Sequence, residues 1–115
     1  MENNLYQGGT MNLKEIKELH GNKRVLLLQS KDEVDLNNQR ELFDRSPKDY
    51  QDRDLVILTG LEDDVLEKYD MNSDFDLILI GKDGSIKYRA HGVSNPEKIY
   101  SIIDQMPRRQ KEMRP

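Results

Sequence analysis

The sequence contains no cysteine and no tryptophan among its 115 residues. Without thiols there are no disulfides, no thiol–disulfide exchange, no cysteine nucleophile and no thiolate metal site. A thiol-free chain is also compatible with any redox environment, so the compartment stays open. Long hydrophobic runs are missing too. No apolar stretch approaches the roughly 18–20 residues that span a bilayer, and nothing resembles a signal peptide. A basic balance is absent: 18 Lys and Arg against 22 Asp and Glu give a formal charge of −4. The cations are spread along the chain, which argues against a nucleic-acid partner. No Gly-rich phosphate loop, nucleophilic serine elbow or metal-ligand spacing occurs. Repeats and internal linkers are also lacking, and no cofactor is expected.

What is present is a chain of 35% charged and 35% hydrophobic residues, which fits one domain with a modest core under a heavily charged surface. Met1–Thr10 is polar and Gly-rich, and reads as a disordered leader or an expression remnant. Residues 11–115 form the domain. The stretch from Phe75 to Gly92 organises it. Leu77, Ile78, Leu79 and Ile80 form a continuous apolar run, the mark of a strand covered on both faces. Gly81-Lys82-Asp83-Gly84 reads as a tight hairpin connection. Ile86, Tyr88 and Ala90 then alternate with Ser85, Lys87 and Arg89, predicting a strand with one wet face.

Before the hairpin, Asn12 caps a short helix carrying Leu13, Ile16 and Leu19, and Gly21 stops it. Arg24–Ser30 is a buried strand. Lys31–Asp35 connects it to a helix of roughly Leu36 to Arg45, with Leu36, Gln39, Leu42 and Phe43 facing inward. Ser46, Pro47 and Asp49 open a short helical turn as cap, first residue and capping-box acid. Leu55–Leu58 is a second buried strand, followed by a helix over about Glu62–Tyr69. After the hairpin, Asn95-Pro96 opens a helix whose Ile99, Ile102, Ile103 and Met106 share one face. Pro107 breaks or kinks that helix, leaving Arg108–Pro115 as a polar tail or one more helical turn. The order α-β-α-β-α-β-β-α predicts an α/β fold: a mixed four-stranded sheet with helices on both faces.

This order resembles the thioredoxin fold, and the segment from Asp76 to Gly92 is similar to the corresponding hairpin of peroxiredoxin-like proteins. A narrower likeness rests on Arg24–Leu28, Arg53–Leu58, Gly81-Lys-Asp-Gly and Ile102–Arg114. Those residues resemble a thioredoxin-like domain-of-unknown-function family found in bacteria and in vertebrate sushi-repeat-containing and coiled-coil-domain-containing matrix proteins. The resemblance implies a thioredoxin-like fold. It also locates two departures. Lys31-Asp32-Glu33-Val34 stands where a thioredoxin carries its Cys-x-x-Cys, and Asn72-Ser73-Asp74 stands where it carries a cis-proline. Neither disulfide exchange nor peroxide reduction is available to this chain.

The expected role is therefore a non-catalytic, protein-binding module, with no nucleic-acid or membrane partner. Its expected surface is the redox-site-equivalent end: Lys31, Asp32, Glu33, Val34 and Asp35 with Asn72, Ser73 and Asp74. The alternative is an enzyme or cation-binding domain using the carboxylates of that end. Asp32, Glu33 and Asp35, then Glu62, Asp63 and Asp64, then Asp70, Asp74 and Asp76 fall on three loops there. Asp32, Glu33 and Asp74 are the weak metal candidates. Charges in the first turn of a helix also suit its dipole, which explains Asp35 and Glu62–Asp64 without a ligand. Arg108, Arg109, Lys111 and Arg114 form a basic segment that either docks an acidic partner or simply solubilises a helix end. His20 and His91 read as structural or solvent-facing, because neither has an evident convergent partner.

Overall fold

The computed structural model describes residues 11–114, so the leader expected over the first ten residues lies outside the described residues. The elements are α1 (Leu13–Leu19), β1 (Arg24–Ser30), α2 (Glu33–Asp44), α3 (Pro47–Asp52) and β2 (Leu55–Leu58). They continue with α4 (Asp63–Lys68), β3 (Phe75–Ile80), β4 (Ile86–Ala90), α5 (Pro96–Asp104) and α6 (Pro107–Glu112). The strands form one mixed sheet in the order β2-β1-β3-β4. β1 and β2, joined through helices, are parallel, while β1–β3 and β3–β4 are antiparallel. The expected sheet is therefore present.

Alternation along the central strands divides the core between the two faces. Leu26, Leu28, Leu77 and Leu79 pack with Phe43, Tyr50, Ile99 and Ile103 under α2, α3 and α5. Val25, Leu27, Ile78 and Ile80 pack with Ile16, Val65 and Tyr69 under α1 and α4. The caps follow local chemistry. Asn12 and Glu15 close a reciprocal capping box on α1, and Asn95 accepts from the Glu97 amide on α5.

Three expectations need correction. α2 starts at Glu33, earlier than Leu36, because Asp32 accepts from the Val34 amide and caps it, with Glu33 and Asp35 at the favourable end of the dipole. Lys31–Asp35 is thus a cap and a first turn rather than a connection. In the hairpin, the register shifts between Leu79 and Ile80, so that Leu79 faces Tyr88 and Ile80 faces Ile86. This bulge leaves Lys87 out of register and turns Ile86 to solvent, while Tyr88 and Ala90 still pack on the core. Finally, Ser46 holds the N-cap position of α3 without a side-chain capping bond.

Candidate functional site

The loops after β1 and before β3 meet at one end of the sheet. The Lys31 amide donates to the Asp74 carbonyl at 2.9 Å, and Ser30 Oγ reaches the same carbonyl at 3.2 Å. Ser30 Oγ also accepts from the Asp32 amide. Lys31 and the Asp74 carboxylate are a loose, solvent-exposed pair at 3.9 Å. The structure therefore joins two segments that the sequence placed far apart, Lys31–Asp35 and Asn72–Asp74. Val34, 64% exposed, is an uncovered apolar side chain on this surface.

Beneath the loops lies a polar cluster that sequence reasoning did not assemble. Asp76 is the cross-strand neighbour of Gln29, and its side chain is fully buried. It accepts from Gln29 Nε2 at 2.7 Å, from the Ser73 amide at 3.0 Å and from Ser73 Oγ at 2.8 Å. His91 Nδ1 lies 3.0 Å from the same carboxylate and 3.0 Å from Ser73 Oγ. Burial pushes the Asp76 carboxyl up, yet the hydrogen bonds from Gln29, Ser73 and His91 outweigh burial and hold it below the ordinary aspartate value. A carboxylate can only accept, so Nδ1–H donates to Asp76 and fixes the orientation of the ring. The His91 side chain is 58% exposed. An oriented imidazole therefore stands at the surface beside Ser73.

This arrangement differs from a nucleophilic triad. In a triad the serine uses the nitrogen opposite the one that faces the carboxylate. Here Ser73 and Asp76 both face Nδ1, and the hydroxyl donates its hydrogen bond to the Asp76 carboxylate, so the imidazole is not placed as the base for Ser73. Two of the carboxylates expected at this end serve as local hydrogen-bond acceptors. Asp32 caps α2, while Asp64 Oδ2 accepts from the Leu13 amide at the start of α1. Among the described residues no three His, Asp or Glu side chains are grouped to hold a metal ion.

The basic segment is divided by burial. Arg109 is buried: Nε donates to Asp104 at 3.1 Å, and Nη1 and Nη2 donate to the carbonyl and carboxylate of Asp52. It is a structural cation and is withdrawn from any docking surface. Arg108 donates to the Gly21 carbonyl and, like Lys111 and Arg114, is exposed. The expected tail is α6, opened by Pro107 at its first position. His20 caps α1 and packs its ring on Gly84. A depression of about 430 Å³ between α3 and α5 is occupied at its edge by Arg53, which lies 4.5 Å over the Tyr100 ring and pairs with Asp104.

Residues 60–112, from the end of β2 to the end of α6, match the family described as Domain of unknown function (DUF4174). No curated protein matches the chain. Among solved structures it is similar to a thioredoxin peroxidase I of Plasmodium yoelii, with 16% identity, a TM-score of 0.63, and coverage of 84% of this chain and 79% of that one. It is also similar to the mitochondrial 2-Cys peroxiredoxin of Plasmodium falciparum, with 15% identity, a TM-score of 0.64, and coverage of 87% and 84%. The reduced 2-Cys peroxiredoxin of Plasmodium vivax gives 16% identity, 0.63, and 84% and 72%. At these identities the likeness is one of fold, and the fold is thioredoxin-like.

Proposed function

We propose that this chain is a non-redox thioredoxin-like binding module that holds a protein segment at the end of the sheet where Val34, Lys31, Asp74 and His91 lie. The observation that carries this reading is the exposed imidazole of His91, fixed through Nδ1 by the buried Asp76, on a loop surface that also leaves Val34 uncovered. A preoriented side chain loses little freedom on binding, and an exposed apolar group at the same end of the sheet offers area to a partner. The complementary segment presents an apolar side chain to Val34 and a hydrogen-bond donor or acid to His91 Nε2. Likeness to the thioredoxin-like domain of vertebrate sushi-repeat and coiled-coil matrix proteins fits a module carried by a larger exported protein.

The test is selection of a displayed peptide library on the intact chain, followed by titration of the best peptide into variants. Val34→Asp and His91→Ala are each expected to weaken it at least about ten-fold, the loss expected for a central contact. Lys111→Ala, on the opposite flank, leaves affinity unchanged. Failure to select any peptide, or equal affinity in all variants, overturns the reading.

A further inference from the structure

At the end of the sheet opposite His91, Arg24 opens β1 and Lys82 follows β3. Both charged side chains are buried, at 1% and 7% exposure. The Glu112 carboxylate of α6 lies across them. Arg24 Nη1 and Nη2 donate to its two oxygens at 3.1 and 3.2 Å, and Lys82 Nζ donates to Oε2 at 2.6 Å. Asp54 takes a second bond from Lys82 at 2.8 Å.

Two features remain after these pairs are made. Arg24 Nε is buried with no hydrogen-bond partner among the described residues. Adjoining it is a cavity of about 280 Å³, lined by Arg24, Lys82, Lys87 and Arg108 together with Met106 and Pro107. Asp83 also lines it but pairs with Lys87 at 3.0 Å; Glu112 and Asp54 do not line it. The wall is therefore rich in cations and partly apolar.

We propose that this cavity binds a small organic carboxylate with a compact apolar body, and that Glu112 is the internal carboxylate competing for the same cations. The carboxylate already paired with a lining residue indicates the chemistry, since two N–H groups of Arg24 meet the two oxygens of Glu112 beside the cavity. Met106 and Pro107 supply the surface for the apolar body. Ligand pockets usually span about 300–1,000 Å³, so a cavity of about 280 Å³, just below that range, suits only a small molecule. With Glu112 seated, a ligand meets Lys87 and Arg108; with Glu112 displaced, the Nη groups of Arg24 are freed for it as well.

The experiment is an amide chemical-shift titration of the labelled full chain with sodium benzoate at fixed ionic strength. Sodium phosphate and benzyl alcohol serve as parallel probes, one lacking the apolar body and the other the charge. Saturable benzoate shifts are expected at Gly81–Asp83, Lys87 and Arg108, weaker with phosphate and absent with benzyl alcohol. Glu112→Gln is expected to tighten benzoate about ten-fold, as removal of one charge-assisted competitor implies. Arg108→Ala, whose side chain is 58% exposed, is expected to weaken benzoate a few-fold without loss of fold. Absence of saturable shifts in both the natural chain and Glu112→Gln, or shifts mapping elsewhere, overturns the site. Should Glu112→Gln not fold, equal benzoate affinity in the natural chain and Arg108→Ala overturns it.

Discussion

Gly84 is held to glycine by two independent constraints. Its φ is +84°, and a Cβ there would stand 2.9 Å from His20 Nδ1. Gly84→Ala is expected to cost about 1–2 kcal/mol from backbone conformation alone, read as a lowered urea midpoint. Adding His20→Ala relieves only the contact, so the double variant recovers part of the loss. Asp76 makes a different kind of prediction. Its folded-state value is depressed, so its contribution is present above the unfolded aspartate value of about 3.9 and is lost as pH falls through the folded value. Asp76→Asn removes that dependence and places an amide N–H₂ among donors, costing about 1–3 kcal/mol at neutral pH. Urea unfolding of both forms at pH 7 and pH 3 checks it: the gap between them narrows in acid. The sequence marks Asp76 as one of several carboxylates at this end but does not disclose that it is buried. Its burial is decided by Gln29, Ser73 and His91, which only the antiparallel register brings to it.

Among the elements, the strands were legible because their residues carry one message. Leu26–Leu28 and Leu77–Ile80 are apolar without interruption and buried in the fold. α5 was legible from its apolar face, and α1 from its Asn12 cap and the spacing of Leu13, Ile16 and Leu19. The tilt of Ile86 toward solvent was not, since period-2 alternation is silent about a bulge. α6 was half legible. Pro107 marks a boundary, but the cations after it look alike in sequence, and their different fates depend on Asp52 and Asp104, two acids on other helices. Arg109→Ala is expected to destabilise by about 1–3 kcal/mol, because it removes a buried guanidinium that bonds both Asp104 and Asp52, although Asp104 keeps Arg53 and Asp52 keeps water. Lys111→Ala and Arg114→Ala are expected to stay within about 0.5 kcal/mol, as exposed substitutions do. Thermal or urea unfolding of the three separates them.

Taken whole, the molecule gathers its depressed carboxylates at both ends of the sheet and on the hairpin. Arg53 and Arg109 hold Asp104 below the ordinary range against its burial. Burial raises Glu112, but Arg24 and Lys82 bring it below its ordinary value. The Ser85 amide, with Lys87, lowers Asp83. Every one of these groups, like Asp76, gives stability that is full at neutral pH and disappears as the solution is acidified below about pH 4. The urea midpoint is expected to be flat from pH 7 to about 5 and then to fall steeply. Added salt weakens the Asp83 part, which is exposed, more than the rest. A midpoint that holds at pH 3 would contradict the network.

The pairing of Arg24 with Glu112 joins residues 88 positions apart. On a ribosome adding about 5–20 residues per second, the acid follows the guanidinium by roughly 4 to 18 seconds. During that interval β1, to which both β2 and β3 attach, begins with a charge made for burial and still in water. The nascent chain can assemble its parallel pair early, but the clamp closes only after α6 has been translated. A stalled or prematurely terminated product lacking α6 is thus left with its central strand unsealed, a state that chaperones and proteases can distinguish from the finished domain.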